Sequence, residues 1–202
     1  MIQLLINREC PEAEPSTSFG GLPVKGLDED FQWPICQSCN GAMQFLGKLA
    51  VDGRIEQVFM CQNDPGLCNE WDADGGGNSV VVTAAREFEL ATPPEGGVTT
   101  KETNYGAVVL EFDSDDYEEA RTQWAEENGL SLRQVLGQVF GTPSWIQGDE
   151  TPNCDICKKP MRFVAQLEQG PDWKDEMDFG GGGCAYLFDC TCDSSAKFMW
   201  QC

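Results

Sequence analysis

The sequence contains no histidine. That removes the commonest general base near neutral pH, the Ser-His and Cys-His nucleophile pairs, and every zinc site with an imidazole ligand. Basic residues are scarce as well: 13 lysines and arginines stand against 34 aspartates and glutamates, for a net charge of -21. A nucleic-acid binder needs a basic footprint to displace counterions from phosphates, and this chain carries the opposite field. The field argues against a nucleic-acid partner and for a basic protein, although surface carboxylates also serve solubility alone. Long apolar runs are missing too. The opening MIQLLINREC holds an apolar run too short for a signal peptide or a membrane span, so the expectation is a cytoplasmic protein with no membrane partner.

What the chain has in abundance is cysteine, eleven of 202 residues. In a reducing compartment, clustered cysteines more often bind metal or do chemistry than form disulfides. The cysteines belong to an internal repeat. Set over each other without a gap, CQSCNGAMQFLGKL (36–49) and CDICKKPMRFVAQL (154–167) match at two cysteines, a methionine, a phenylalanine and a leucine. Upstream, FGGLP (19–23) resembles FGTP (140–143); downstream, VFMC ends at Cys61 and YLFDC ends at Cys190. A tryptophan lies ten residues beyond each of these last cysteines, Trp71 and Trp200. The two copies differ at Gly47-Lys48-Leu49, where the second has Ala165-Gln166-Leu167.

The local patterns around the cysteines read as strands. Residues 43–51 and 54–61 flank Asp52-Gly53, a hairpin signal, and 161–168 with 185–190 repeat the pairing across a Gly-rich connection. Residues 78–85 and 105–112 are further Val-rich strand candidates. One helix is predicted from an N-cap at Ser114, with Tyr117, Ala120 and Trp124 as its apolar edge, and a short second helix over 131–138. The expected fold is α+β and mostly antiparallel β: two pseudo-repeated β-hairpin and zinc-knuckle units with a short helical segment between them. The expected organisation is a single duplicated domain over 1–202. Unit one covers about 19–85, a connecting strand and helices 86–137, and unit two 138–202.

Four thiolates from separated positions suit a closed, structural tetrahedral zinc site, which leaves no open position for catalysis. Unit one offers Cys36, Cys39, Cys61 and Cys68; unit two offers Cys154, Cys157, Cys190 and Cys192, with Cys184 and Cys202 as alternative fourth ligands. One or two structural Zn2+ ions are the favoured reading, and free buried thiols or a disulfide are the alternatives. A redox dithiol would open a helix, whereas strands follow both Cys-x-x-Cys pairs. Trp33, Trp71, Trp145 and Trp200 lie in or beside the repeated motifs. They pack around the knuckles or line a groove for a partner peptide. DADGGGN (72–78) lacks the acidic twelfth residue of a calcium loop, and GGGG (180–183) lacks the Lys-Ser/Thr of a phosphate loop; both read as turns.

Taken together, FGTPSWIQ, PNCDICKKPMRFVAQLE, AYLFDC and AKFMWQC resemble the bacterial YwqG-like family, and FGGLPVKG, WPICQSCNGAMQFLGKL and VFMCQNDPGLCNEWD are similar both to it and to programmed cell death protein 2. These groups are placed in one superfamily, sometimes called TYPP, and the resemblance spans residues 19–85 and 138–202. It implies zinc-type cysteines at Cys36, Cys39, Cys61, Cys154, Cys157 and Cys190. It also implies a protein-binding role: eukaryotic members act as dedicated chaperones of a basic ribosomal protein, and some bacterial members neighbour secreted toxins. The expected function is thus non-enzymatic: an acidic zinc-binding protein that holds a basic partner on an edge strand or aromatic groove, as an immunity-type toxin inhibitor or a chaperone. The alternative is an RNA-processing hydrolase or nuclease.

Overall fold

The computed structural model describes all residues except 12–14, 28, 85, 86, 193 and 194. The boundary expected between residues 85 and 86 therefore lies outside the described residues. Among the described residues, twelve strands are formed: β1 (Ile2–Arg8), β2 (Ser18–Gly20), β3 (Val24–Gly26), β4 (Gln44–Val51), β5 (Arg54–Met60), β6 (Asn78–Thr83), β7 (Phe88–Leu90), β8 (Asn104–Phe112), β9 (Val135–Val139), β10 (Arg162–Leu167), β11 (Cys184–Asp189) and β12 (Ala196–Gln201). Against them stand one α-helix, α1 (Tyr117–Asn128), and a 3-10 turn at Leu132–Gln134.

The expected α+β class is overturned: the described chain is nearly all β. The segment read as a second helix is strand β9 after its short 3-10 turn. β9 pairs with β1 on one side and β10 on the other, and two ladders outweigh the weak local preference of VLGQV. The remaining helix is capped by Asp116 rather than Ser114. The Asp116 carboxylate accepts from Glu119 N at 2.9 Å, while the Ser114 hydroxyl accepts from Asp116 N. Tyr117, Ala120, Trp124 and Ala125 pack α1 onto Ile2, Leu4, Ile6 and Val135 of β1 and β9. Tyr117 and Trp124 contribute about 1.5–3 kcal/mol each by leaving water.

Ten strands make one antiparallel sheet in the order β12-β11-β10-β9-β1-β8-β2-β4-β5-β6, and β3 pairs separately with β7. The two end strands of the large sheet, β6 and β12, come back alongside each other, so the sheet curls into a nearly closed barrel. Its interior is filled by Leu5, Phe19, Leu49, Val58, Met60, Leu136, Leu187 and Phe198, among others.

The order reads symmetrically from its centre. β2, β4, β5 and β6 run outward on one side; β9, β10, β11 and β12 run outward on the other. The two lead strands exchange places: β1 pairs with β9 and β8 pairs with β2, while β1 and β8 pair with each other. Both flanks carry the same irregularity, a register shift after Phe45 in β4 and after Phe163 in β10. The turn between β4 and β5 has Asp52 at φ 50° and Gly53 at φ 77°, the two positive dihedrals of a type I′ hairpin. Among the described residues, no helix is long and apolar enough to cross a membrane.

Candidate metal centres

Each Cys-x-x-Cys forms a tight knuckle just before a long strand. In the first, Cys36 N donates to Gly41 O, Asn40 N to Cys36 O and Met43 N to Pro34 O. In the second, Cys154 N donates to Lys159 O, Lys158 N to Cys154 O and Met161 N to Pro152 O. These are the same three bonds 118 positions later. An isolated bridge closes each knuckle, Ile35 to Ala42 and Asn153 to Pro160. Asn40 and Lys158 both adopt φ 58°, so the chain turns back at the same step of each copy.

The distal cysteines come from the far ends of the partner strands. Cys61 follows β5, its N–H bonded to Gly77 O, and Cys190 follows β11, bonded to Ser195 O. The outcome is two tetrads, Cys36-Cys39-Cys61-Cys68 and Cys154-Cys157-Cys190-Cys192, each with all sulfurs within 4.8 Å of one another. Cys192, not Cys184 or Cys202, completes the second. Cys184 is buried elsewhere, accepting from Gln166 Nε2 and bonded to Tyr186 Oη, and Cys202 is exposed at the last position. Cys10 stands apart, near Pro11 O.

Sulfur spacing decides what the tetrads can do. Sγ to Sγ is 3.6 Å for Cys39–Cys61, Cys154–Cys192 and Cys157–Cys190, and 3.2 Å for Cys190–Cys192. A disulfide needs about 2.0 Å, and all eleven cysteines are free thiols. A tetrahedron with about 2.3 Å metal–sulfur bonds has edges of about 3.8 Å. The residues therefore fit a tetrahedral thiophilic ion, and both tetrads could hold one.

The surroundings prepare part of each tetrad for anionic sulfur. The Gly41 N–H lowers the Cys39 thiol below its ordinary range. The N–H groups of Cys157 and Ile156 bring Cys154 down to about 6. Burial instead raises Cys61 and Cys68, and the adjacent Cys190 and Cys157 raise Cys192. Four thiols this close cannot all ionise unless a cation offsets their mutual repulsion.

Sequence reasoning missed two supports of the first tetrad. The Asn63 amide points at Cys61 Sγ (3.4 Å) and Cys39 Sγ (3.6 Å), and the buried Glu70 carboxylate accepts from Gly66 N and Cys68 N, holding the loop that carries Cys68. Glu70 lies two residues beyond Cys68, the only signal that could have pointed to it.

The four tryptophans fall into two settings. Trp33 packs edge-on to Phe31 and Phe59 at the first knuckle and donates from Nε1 to Met43 O at 2.8 Å. Trp145 packs on Tyr186 and Phe188 at the second. Trp71 and Trp200 meet each other, with centroids 6.3 Å apart, where β6 and β12 approach. Their equal spacing from Cys61 and Cys190 does not make them equivalent. Aligned by strand register, Trp200 within β12 corresponds to Val82 within β6, whereas Trp71 belongs to the loop before β6. No protein-family model matches the chain, and no curated protein matches it.

Proposed function

We propose that this chain is a non-enzymatic protein in which each cysteine tetrad holds a structural Zn2+ and whose acidic surface binds a basic protein. The observation that carries the reading is the pair of four-sulfur clusters with near-tetrahedral spacing. Zinc suits an all-thiolate set because it favours sulfur and has no geometric preference beyond four-coordination. Bound there, it would act as a cross-link, tying each knuckle to the end of its partner strand. A closed set of four thiolates presents no vacant position to a substrate, and the chain has no histidine to serve as a base.

The charge of -21 supports the partner half, since it steers a cationic protein inward and repels polyanions. Among basic proteins we favour a toxin held by an immunity-type inhibitor, the role suggested by the YwqG-like resemblance; a ribosomal-type client of a dedicated chaperone is the other member of the class.

Purification from native cells, with metal quantified and the co-purifying partner identified, tests both halves. About two zinc ions per chain and one stoichiometric basic protein are expected. Cys36→Ser should remove about one zinc equivalent and lower the melting temperature, as should prolonged chelation. Zinc-free protein with every thiol open to titration would sink the metal reading. An acidic or nucleic-acid partner would sink the other. A folded partner bound tightly marks an inhibitor; an extended nascent segment marks a chaperone.

A further inference from the structure

The two tetrads share one knuckle design but differ in cover. Over the first lies the Asn63 amide, which donates to Ala42 O at 3.2 Å and points at Cys39 Sγ and Cys61 Sγ. Gly41 makes room for that amide: a Cβ there would lie 2.5 Å from Asn63 Nδ2. The second copy keeps neither residue. Aligned by the knuckles, Lys159 stands where Gly41 stands in the first. Cys192, two residues beyond Cys190, stands where Asn63 follows Cys61. The position that covers the first tetrad thus supplies the fourth sulfur of the second.

Exposure follows from this exchange. In the first tetrad Cys36, Cys61 and Cys68 are buried and Cys39 is half-buried; in the second Cys157 is half-buried and Cys192 exposed. A cleft of about 210 Å³ opens beside Cys192, lined by Cys157, Cys190 and Cys192 together with Lys159, Arg162 and Asp189. Asp189 and Asp52 pair with Arg162, and Asp155 of the knuckle pairs with Lys197. Lys158 and Lys159 are exposed, and their side chains form no salt bridge among the described residues. Two of the chain's 13 basic residues therefore carry uncommitted charge at this knuckle. Charges beyond about 8 Å are largely screened at physiological ionic strength, so the cleft feels these lysines more than the distant carboxylates.

We infer that Cys192 is a thiol-exchange site for a small, carboxylate-bearing disulfide. This rests on the proposal that each tetrad holds Zn2+, because sulfur held for a metal is the thiolate, the nucleophilic form of cysteine. The Cys192 thiolate attacks one sulfur of the disulfide, forming a mixed disulfide and expelling one half as a thiolate. Cys190 Sγ, 3.2 Å from Cys192 Sγ, then displaces the other half as a second thiolate and closes Cys190 onto Cys192. Two cysteine thiolates are oxidised and one disulfide is reduced to two thiolates. The attack falls on sulfur, so it needs no vacant position on the ion. With two of its four ligands spent, the second tetrad releases its metal while the covered first tetrad keeps its own.

The test uses the full-length protein, its zinc quantified beforehand, treated with glutathione disulfide or with the uncharged 2-hydroxyethyl disulfide. Zinc release is followed with a chromogenic chelator, and the oxidised cysteines are located by peptide mass spectrometry. Glutathione disulfide is expected to release about one zinc at least tenfold faster than the other, with Cys192 linked to glutathione or to Cys190. Lys158→Gln combined with Lys159→Gln should slow this reaction severalfold and leave the hydroxyethyl reaction unchanged. Asn63→Ala, which removes no ligand, should uncover the first tetrad and narrow the difference between the two release rates. Equal release from both tetrads, tetrad oxidation that spares Cys192, or an unchanged glutathione rate in the lysine variant overturns the inference and leaves the zinc reading standing. Zinc absent at the start sinks the metal reading instead. The first tetrad cysteine to be oxidised then decides the exchange site: Cys192 upholds it, and any other overturns it.

Discussion

Glu56 shows how far the barrel interior departs from an apolar core. Its side chain is fully buried, with Arg54 Nη2 2.9 Å from Oε1 but neither oxygen in a formed hydrogen bond. Arg54 also pairs with the buried Asp189, which Arg162 binds at 2.6 Å, and Arg162 reaches Asp52 at 2.8 Å. The network ties the β4–β5 turn to the end of β11 across the sheet. Burial raises the Glu56 carboxyl to about 7, a rise that Arg54 and Arg162 only partly oppose. An acid whose pKa is higher folded than unfolded stabilises the fold while protonated, so its contribution is full below about 4.5 and is lost as pH rises through about 7. The whole effect is worth about 3 kcal/mol. Glu56→Gln should flatten the fall in urea stability between pH 5 and 8; an unchanged slope would show that Glu56 does not titrate there. Arg162 and Asp189 face each other in the β10–β11 ladder, but their link to Arg54 was not legible in the sequence, because β5 and β11 are not neighbours in the sheet and meet only through barrel curvature. The tetrads were more legible, since their Cys-x-x-Cys spacing is local and the echo 118 positions on is direct.

At the scale of the element, the hairpins and the lead strand β8 were readable, and the other lead strand, β1, was not. Asp52-Gly53 specifies the β4–β5 turn by backbone chemistry alone, whereas β1 and β9 owe their state to neighbours distant in the chain. The mismatch of Gly47 with Ala165 has the same kind of cause. A Cβ at Gly47 would lie 2.6 Å from Phe19 Cδ1 and 2.8 Å from Ser18 O, because β2 crosses β4 closely there. Gly47→Ala should thus cost about 1–3 kcal/mol by forcing β2 off β4, with metal content preserved. Ala165→Gly, at the matching position of β10, should cost about 1–2 kcal/mol, from backbone entropy and the loss of one buried methyl group, with β9 kept on β10. Thermal melts of the two variants compare these costs directly, and equal losses would refute the crowding argument.

For the molecule as a whole, the exchange of β1 and β8 makes the two halves interdependent. Cut within the exposed stretch at 92–96, the first half loses β8 from between β1 and β2, and the second half loses β1 from between β8 and β9. Either fragment alone is expected to be unfolded by circular dichroism, and the pair to regain strand signal when coexpressed; a fragment with its own cooperative melt would contradict this. The internal repeat could be read from the sequence, but not this exchange, because strand partnership over a hundred residues leaves no local pattern. The same exchange governs the order of events during synthesis. β1 leaves the ribosome first, yet neither of its partners exists until residue 104 has been added. At about 5–20 residues per second it waits roughly 5–20 s with its apolar face uncovered, while the first knuckle, complete by Cys68, can already close. β1 is then the part of the newborn chain most in need of shielding, until β8 and β9 have followed it.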